Sequence, residues 1–287
     1  ISSDSNIILA HMIKNWLTST EIGFAFDDTE KIYQIARIGD EKFFDRIYKF
    51  LLPFDKNISL DAECEKLKER IEIESVKFDQ AVKKATEIKK NPRGVPDFKV
   101  PRMRDESALE WYQKMPVMHS VILENSANFA VPGSGKTWMA YSTFFLLKEK
   151  KIVNKLLVVA PIAAFKPWEV EYEEMTGKKG KILRLMGTPN ERYLKFRMSG
   201  EYEIFLVSYS TAGIENHSIQ EFLLKKDDFM MVVDESHNIK NFGTQRTTNV
   251  LKLGKEAKRR MILTGTMMPR SLGDIWTQFR FLYPNRT

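Results

Sequence analysis

The stretch Ala130-Val-Pro-Gly-Ser-Gly-Lys-Thr137 limits what this chain can fold into more than any other. It follows an apolar run, Val121, Ile122 and Leu123, and opens a helix-patterned segment from Trp138 to Lys150. Apart from alanine at its first position it has the form G-x-x-x-x-G-K-[ST], a phosphate loop set between a strand and a helix. Phosphate chemistry explains the residue types. Gly133 and Gly135 let the loop bend so that the backbone N–H groups between Ala130 and Gly135, including that of Ser134, face phosphate oxygens. The helix that follows brings the positive end of its dipole to the same point. Lys136 is placed to reach the β- and γ-phosphates, and Thr137 to hold Mg²⁺ through its hydroxyl.

Two later stretches carry matching chemistry. Met230-Met-Val-Val-Asp-Glu-Ser-His237 is an apolar strand that ends in two acids. Asp234 is placed to hold the Mg²⁺ of a nucleotide and Glu235 to activate water as a general base. His237 links the site to its neighbours by hydrogen bonds. Leu263-Thr-Gly-Thr266 follows another apolar run, and Thr264 and Thr266 around Gly265 suit a tight turn bonded to the acidic stretch. Upstream, Ser107-Ala-Leu-Glu110 is a capping-box pattern that predicts a helix from Ser107. That helix carries Gln113, whose amide both donates and accepts and so suits adenine; a solvent-facing glutamine is the other reading.

The remaining chain supplies context. Residues 1–57 predict short helices: one with Ile8, Met12 and Trp16, one with Ile32, Ile35 and Ala36, and one with Phe43, Ile47, Tyr48 and Leu51 stopped by Pro53. Leu60, Cys64, Leu67, Ile71, Phe78, Ala81, Ala85 and Ile88 form a heptad-like stripe over 59–90. Two alanines and a short length favour packing on its own chain over a partner coiled coil. Asn91-Pro-Arg-Gly-Val-Pro96 ends this helix and reads as a linker, which divides the chain into a helical part, 1–100, and a second part, 101–287. Beyond the loop, strand candidates are Leu156–Ala160, Ile182–Leu185, Ile204–Val207, Met230–Val233 and Met261–Leu263. They are apolar throughout, as in a parallel sheet covered on both faces. No apolar run reaches the ~18–20 residues of a membrane span. A net charge of +7 is compatible with a polyanionic partner, and the single cysteine excludes an internal disulfide.

With these signatures in this order, the chain resembles helicase superfamily two, and within it the Swi/Snf-type ATPases. Longer stretches carry the resemblance. Leu156-Leu-Val-Val-Ala-Pro161 with Pro167-Trp-Glu-Val-Glu171 is similar to the family's apolar strand, proline and W-x-x-E. Ile204-Phe-Leu-Val-Ser-Tyr209, Asp234-Glu-Ser-His-Asn-Ile-Lys-Asn241 and Met261-Ile-Leu-Thr-Gly-Thr266, with Leu272, Trp276, Phe281, Leu282 and Pro284, match further segments. Departures lie at Ala130-Val-Pro132, Asn238, Met267 and Arg270. None of them removes a phosphate-, metal- or water-handling group.

The resemblance implies an α/β fold: a RecA-like lobe with a mainly parallel sheet, preceded by an all-α accessory domain. It implies ATP and Mg²⁺ as cofactors and a translocase on duplex DNA. Pro161, Lys166, Ser208, Tyr209, Lys240 and Asn241 are its candidate backbone contacts. Trp168 reads as core, and Tyr209 is open between packing and contact. The chain ends near Pro284, where the family's second lobe, with its arginines, begins. The expectation is therefore an N-terminal part of a larger motor, nearly inactive alone and lacking its initiator Met. A strand-separating helicase, or a nucleotide-gated module whose N-terminal helices bind a protein, are the alternative readings. Composition gives a cytoplasmic expectation of bacterial or viral kind, with the nucleus open.

Overall fold

The computed structural model describes residues 24–27, 32–35, 62–104, 109–239, 243–266 and 273–284. The chain falls into two compact units, Ile1–Lys77 and Phe78–Thr287. In the first, Phe24–Asp27 (β1) and Ile32–Ile35 (β2) pair antiparallel, with Phe24 opposite Ile35 and Asp27 opposite Ile32. The helix expected around Ile32, Ile35 and Ala36 is thus a strand, and the accessory part is not helical throughout. Aromatic and β-branched residues favour pairing once a partner strand lies four residues away. The stretches 8–16 and 43–53 lie outside the described residues.

The 29-residue helix α1, Ala62–Lys90, contains the unit boundary. The heptad-like stripe is its less exposed side within the described residues. In the second unit Ala85 is 3% exposed, and the Phe78 ring meets Tyr283 edge-on at 5.8 Å.

Six parallel strands form the sheet of the second unit, in the order β3-β8-β7-β4-β6-β5. They are β3 Asn125–Asn128, β4 Lys155–Ala160, β5 Ile182–Leu185, β6 Ile204–Ser208, β7 Phe229–Asp234 and β8 Arg259–Leu263. The last five match the sequence expectation. Successive side chains in these strands point to opposite faces. Leu156, Val158 and Ala160 join one core with helices α2 (Trp111–Ile122), α3 (Lys136–Glu149) and α4 (Phe165–Thr176). Leu157 and Val159 join the other with α5 (Pro189–Arg197), α6 (Tyr209–Ile214), α7 (Gln245–Glu256) and α8 (Gly273–Leu282). Two covered faces explain why the strand sequences are apolar without alternation. Among the described residues, no helix is long and apolar enough to cross a membrane.

The strand before the phosphate loop corrects the sequence reading. Val121 and Ile122 end α2, and the strand is the polar tetrapeptide Asn125-Ser-Ala-Asn128. Both asparagines are buried and hydrogen-bonded. Asn125 Oδ1 accepts from Arg260 N at 2.8 Å and Arg260 Nη1 at 3.1 Å, and Tyr283 Oη donates to Asn125 O at 2.8 Å. Helix α2 also starts later than expected, at Trp111. Gln113 Oε1 accepts from Glu110 N at 3.0 Å and so closes its first turn; Ser107 lies outside the described residues.

Candidate nucleotide-binding site

Strand register assembles the site. Asn128 and Asp234 both pair with Leu263, so the carboxyl ends of β3, β8 and β7 lie side by side. The phosphate loop, Thr264 and the acid pair therefore leave the sheet at one rim, where parallel α/β sheets bind ligands. Asn128 Oδ1 accepts from Ala130 N at 3.0 Å and fixes the entry to the loop.

Gly133 and Gly135 have φ of +78° and +79°, a region unfavourable to side chains. A Cβ on Gly133 would meet nothing within 4 Å, so the loop opens to its hollow there. A Cβ on Gly135 would come within 2.3 Å of Gln113 Nε2. That amide donates to Ser134 O at 2.9 Å, and Gln113 is 7% exposed. Gln113 is thus neither solvent-facing nor a free amide. It anchors the loop with one end and helix α2 with the other.

Lys136 opens α3, and its Nζ curls back to Ala130 O at 3.1 Å and Val131 O at 3.2 Å. Next to it, the Thr137 hydroxyl lies near the Glu171 carboxylate. Burial pushes the Glu171 carboxyl above its ordinary value, and the neighbouring Thr137 hydroxyl works against that push. One turn earlier on α4, Trp168 Nε1 donates to Asp234 Oδ2 at 2.9 Å. Trp168 is 1% exposed, which fits its reading as core. Its N–H was not foreseen, nor was the contact of Glu171. A spacing of three on a helix puts both on one face, but sequence does not say that Thr137 and Asp234 lie opposite them.

Asp234 is half-buried, and desolvation raises its carboxyl above the ordinary value against the pull of Trp168 and Lys136. Its Oδ1 accepts from Glu235 N at 2.9 Å. Glu235 has φ of +50°, uncommon for a residue with a side chain. Such strain collects at functional sites, and here the turn leaves the carboxylate half exposed beside the rim. His237 Nδ1 lies 3.2 Å from Glu235 Oε2 and 3.3 Å from Thr264 Oγ1. Thr264 in turn accepts from Thr266 N at 3.1 Å. Gly265 approaches the loop closely, because a Cβ there would lie 3.0 Å from Pro132 Cδ. Acid pair, threonine turn and phosphate loop are therefore in physical contact. On the far side of the acidic turn, Ser236 Oγ donates to Gln278 Oε1 of α8 at 2.6 Å, both fully buried.

The residues expected to face a backbone divide into two groups. Pro161 is half-exposed after β4, and Lys166 is exposed in the first turn of α4. Ser208 caps α6, accepting from Thr211 N at 3.0 Å. Tyr209 is 6% exposed, and its hydroxyl donates to Asp234 O at 2.5 Å, so it braces the acid pair from behind. Lys240 and Asn241 lie outside the described residues.

This fold, with a glycine-bent loop at one strand end and an acid pair at a neighbouring one, defines a RecA-like phosphate-loop lobe. Comparison with known proteins narrows it. The SNF2-related domain matches residues 105–287, and the chain belongs to that family. The Helicase SWR1 of Kluyveromyces lactis is 30% identical over 199 residues, 68% of this chain and 12% of that protein. The Helicase SWR1 of Saccharomyces cerevisiae is 29% identical over 207 residues, 69% of this chain and 13% of that protein. The chain thus spans 12% and 13% of these two curated relatives. In fold it is similar to the SWI2/SNF2 ATPase core of Sulfolobus solfataricus, solved in complex with dsDNA. The TM-score is 0.54 at 23% identity, over 66% of this chain and 38% of that one.

Proposed function

We propose that this chain is the nucleotide-binding lobe of an ATP-driven motor that acts on duplex DNA. The convergence of Lys136, Thr137, Asp234, Glu235 and Thr264 on one sheet rim carries the reading. The site fits a magnesium nucleotide. Gly133 leaves an open cradle, and Ser134 Oγ is a buried polar atom with no hydrogen-bond partner among the described residues. Lys136 is bonded to two loop carbonyls that a phosphate would replace.

Thr137 and Asp234 would hold Mg²⁺, which when bound neutralises charge on the phosphates and orients them. Lys136 swings from the loop carbonyls to the outer phosphate oxygens. The loop N–H groups and the start of α3 fix the phosphate chain. Glu235, turned toward the rim by its left-handed backbone, accepts a proton from the attacking water. His237 orients that carboxylate and couples it to Thr264, and Gly265 carries any displacement to Pro132 of the loop.

DNA would lie along the same rim. Lys166 is exposed there, and Arg246 sits over the Tyr209 ring at 5.8 Å. Cations of this kind grip phosphate without reading sequence, so the grip weakens as salt rises. An arginine supplied by a second lobe accelerates nucleotide hydrolysis by about 10³–10⁵, so residues 1–287 alone bind nucleotide and turn it over slowly.

The test is ATP turnover by a version extended through the second lobe, with and without duplex DNA, beside Lys136→Ala and Glu235→Gln. Stimulation by duplex DNA that both substitutions abolish is the expected result. Turnover indifferent to every nucleic acid would overturn the motor reading.

A further inference from the structure

A second concave site lies at the opposite rim of the sheet. Lys155 opens β4, Lys181 precedes β5 and Glu203 precedes β6, so three strand amino ends meet there. Five residues of strand, about 17 Å, separate this end of β4 from the nucleotide rim. The hollow has a volume of about 710 Å³, within the roughly 300–1,000 Å³ of small-molecule sites. Its lining brings together Arg102, Lys148, Lys155, Lys178, Lys179 and Lys181 against two carboxylates.

The inner cations are built in. Glu203, with 14% of its side chain exposed, is held by Arg102 Nη1 at 2.8 Å and by Lys148 Nζ. Burial works to raise the Glu203 carboxyl, and the hydrogen bonds of Lys148 and Arg102 outweigh it, leaving it below the ordinary value. Lys155 Nζ is fixed by Asp227 at 2.9 Å and Ser199 O at 3.1 Å. Arg102 reaches its position from a backbone φ of +68°, and strain of that sort marks residues held in place for a reason other than local preference. One carboxylate between two cations leaves the floor positive.

The outer cations are different. Lys178, Lys179 and Lys181 are exposed, and no ion pair among the described residues involves them. Two glycines shape the loop that presents them. Gly177 ends α4 at φ +69°, and a Cβ on Gly180 would come within 2.8 Å of Ile182 and 2.9 Å of Tyr172.

We propose that this hollow binds a small anion carrying two or more linked phosphates, with Lys178, Lys179 and Lys181 closing on its oxygens above a floor set by Arg102 and Lys148. Ammonium and guanidinium groups make charge-assisted bonds to phosphate. The cations converge on one pocket from α3, the α4–β5 connection and the start of β4. A duplex instead presents its charge along a line, one per roughly 1.7 Å of axis, and would need an open row.

Because the phosphate loop also binds such anions, the test uses the chain carrying Lys136→Ala. Inorganic tripolyphosphate is titrated into it by calorimetry, with and without the added change Lys178→Glu, Lys179→Glu and Lys181→Glu. One-site binding that the triple change weakens by about tenfold or more is expected, since each lost contact is a hydrogen bond between charged groups. Mass spectrometry of amine acetylation supplies a readout on the otherwise unsubstituted chain: tripolyphosphate should protect Lys178, Lys179 and Lys181. An ATP arm separates sources, because equal affinity means phosphates alone are read and tighter ATP binding means a nucleotide is. Loss of all binding with Lys136→Ala, or indifference to the triple change, overturns the proposal. So does a hollow that takes duplex oligonucleotide but not tripolyphosphate.

Discussion

Trp168→Phe removes one hydrogen bond and part of one ring from a fully packed site. The indole N–H donates to Asp234 Oδ2 at 2.9 Å, and its ring lies 5.0 Å from that of Tyr141. A hydrogen bond to a charged group contributes about 1.5–3 kcal/mol. Trimming the ring leaves a small cavity that costs about 1 kcal/mol more. Denaturant unfolding should therefore show a loss of about 2–4 kcal/mol. The functional effect is separable from this loss. Asp234 keeps its bond from Glu235 N but loses the donor that fixes its other oxygen. Losing such an outer partner weakens metal binding by about 10–100-fold. The assay is fluorescent ATP binding to the 287-residue chain across a Mg²⁺ series. The Mg²⁺ midpoint should rise by about that factor, while metal-free nucleotide binding changes little because Lys136 and the loop are untouched. An unchanged midpoint in a folded variant would refute the orienting role. An equal loss with and without Mg²⁺ would show that the change acts through the fold.

Three further outcomes follow from the geometry. Gly265→Ala places a Cβ 3.0 Å from Pro132, so ATP binding should persist while hydrolysis by a two-lobe version falls about tenfold, as small misplacements at reacting centres do. Gly135→Ala forces alanine to φ +79° and drives Gln113 off Ser134, which should cost about 2–3 kcal/mol in urea unfolding and abolish nucleotide binding. His119 is held down to about 4 by burial and the charge of Lys89, so the unfolded chain takes up a proton that the folded chain refuses. Its contribution, up to about 3 kcal/mol, is present above pH 6.5 and is lost as pH falls toward 4, and His119→Gln should flatten that part of the stability profile.

The parts legible in sequence are those whose signal is local. Val158 and Val159 are both fully buried on opposite faces of β4, and a run of such residues announces a covered parallel strand without knowledge of its neighbours. The phosphate loop is legible for a similar reason, since its glycines and lysine serve chemistry within eight residues. Strand β3 was hidden because Asn125 is satisfied by Arg260, which lies far along the chain. The apolar residues just before it belong to a helix end. Ile32 and Ile35 carried a helical spacing that pairing with β1 overrode. Gln113 drew notice for its amide, but its partner proved to be the loop backbone.

The same distinction explains why the W-x-x-E segment matters physically. Thr137 sits at the start of α3 and Asp234 at the end of β7, two elements with no covalent reason to hold a fixed separation. Helix α4 supplies that reason. Trp168 donates to Asp234 and, one turn on, Glu171 lies near Thr137. The helix itself is locked to α3, because Tyr141 Oη donates to Trp168 O at 2.9 Å and the Tyr141 ring packs edge-on against Trp168 and Tyr172. Thr137 lies on α3, so the Tyr141 bond to α4 and the Trp168 bond to Asp234 join the two ends through one helix. A change in the separation of Thr137 and Asp234 then strains this chain of contacts, whose middle helix carries Lys166 in its first turn.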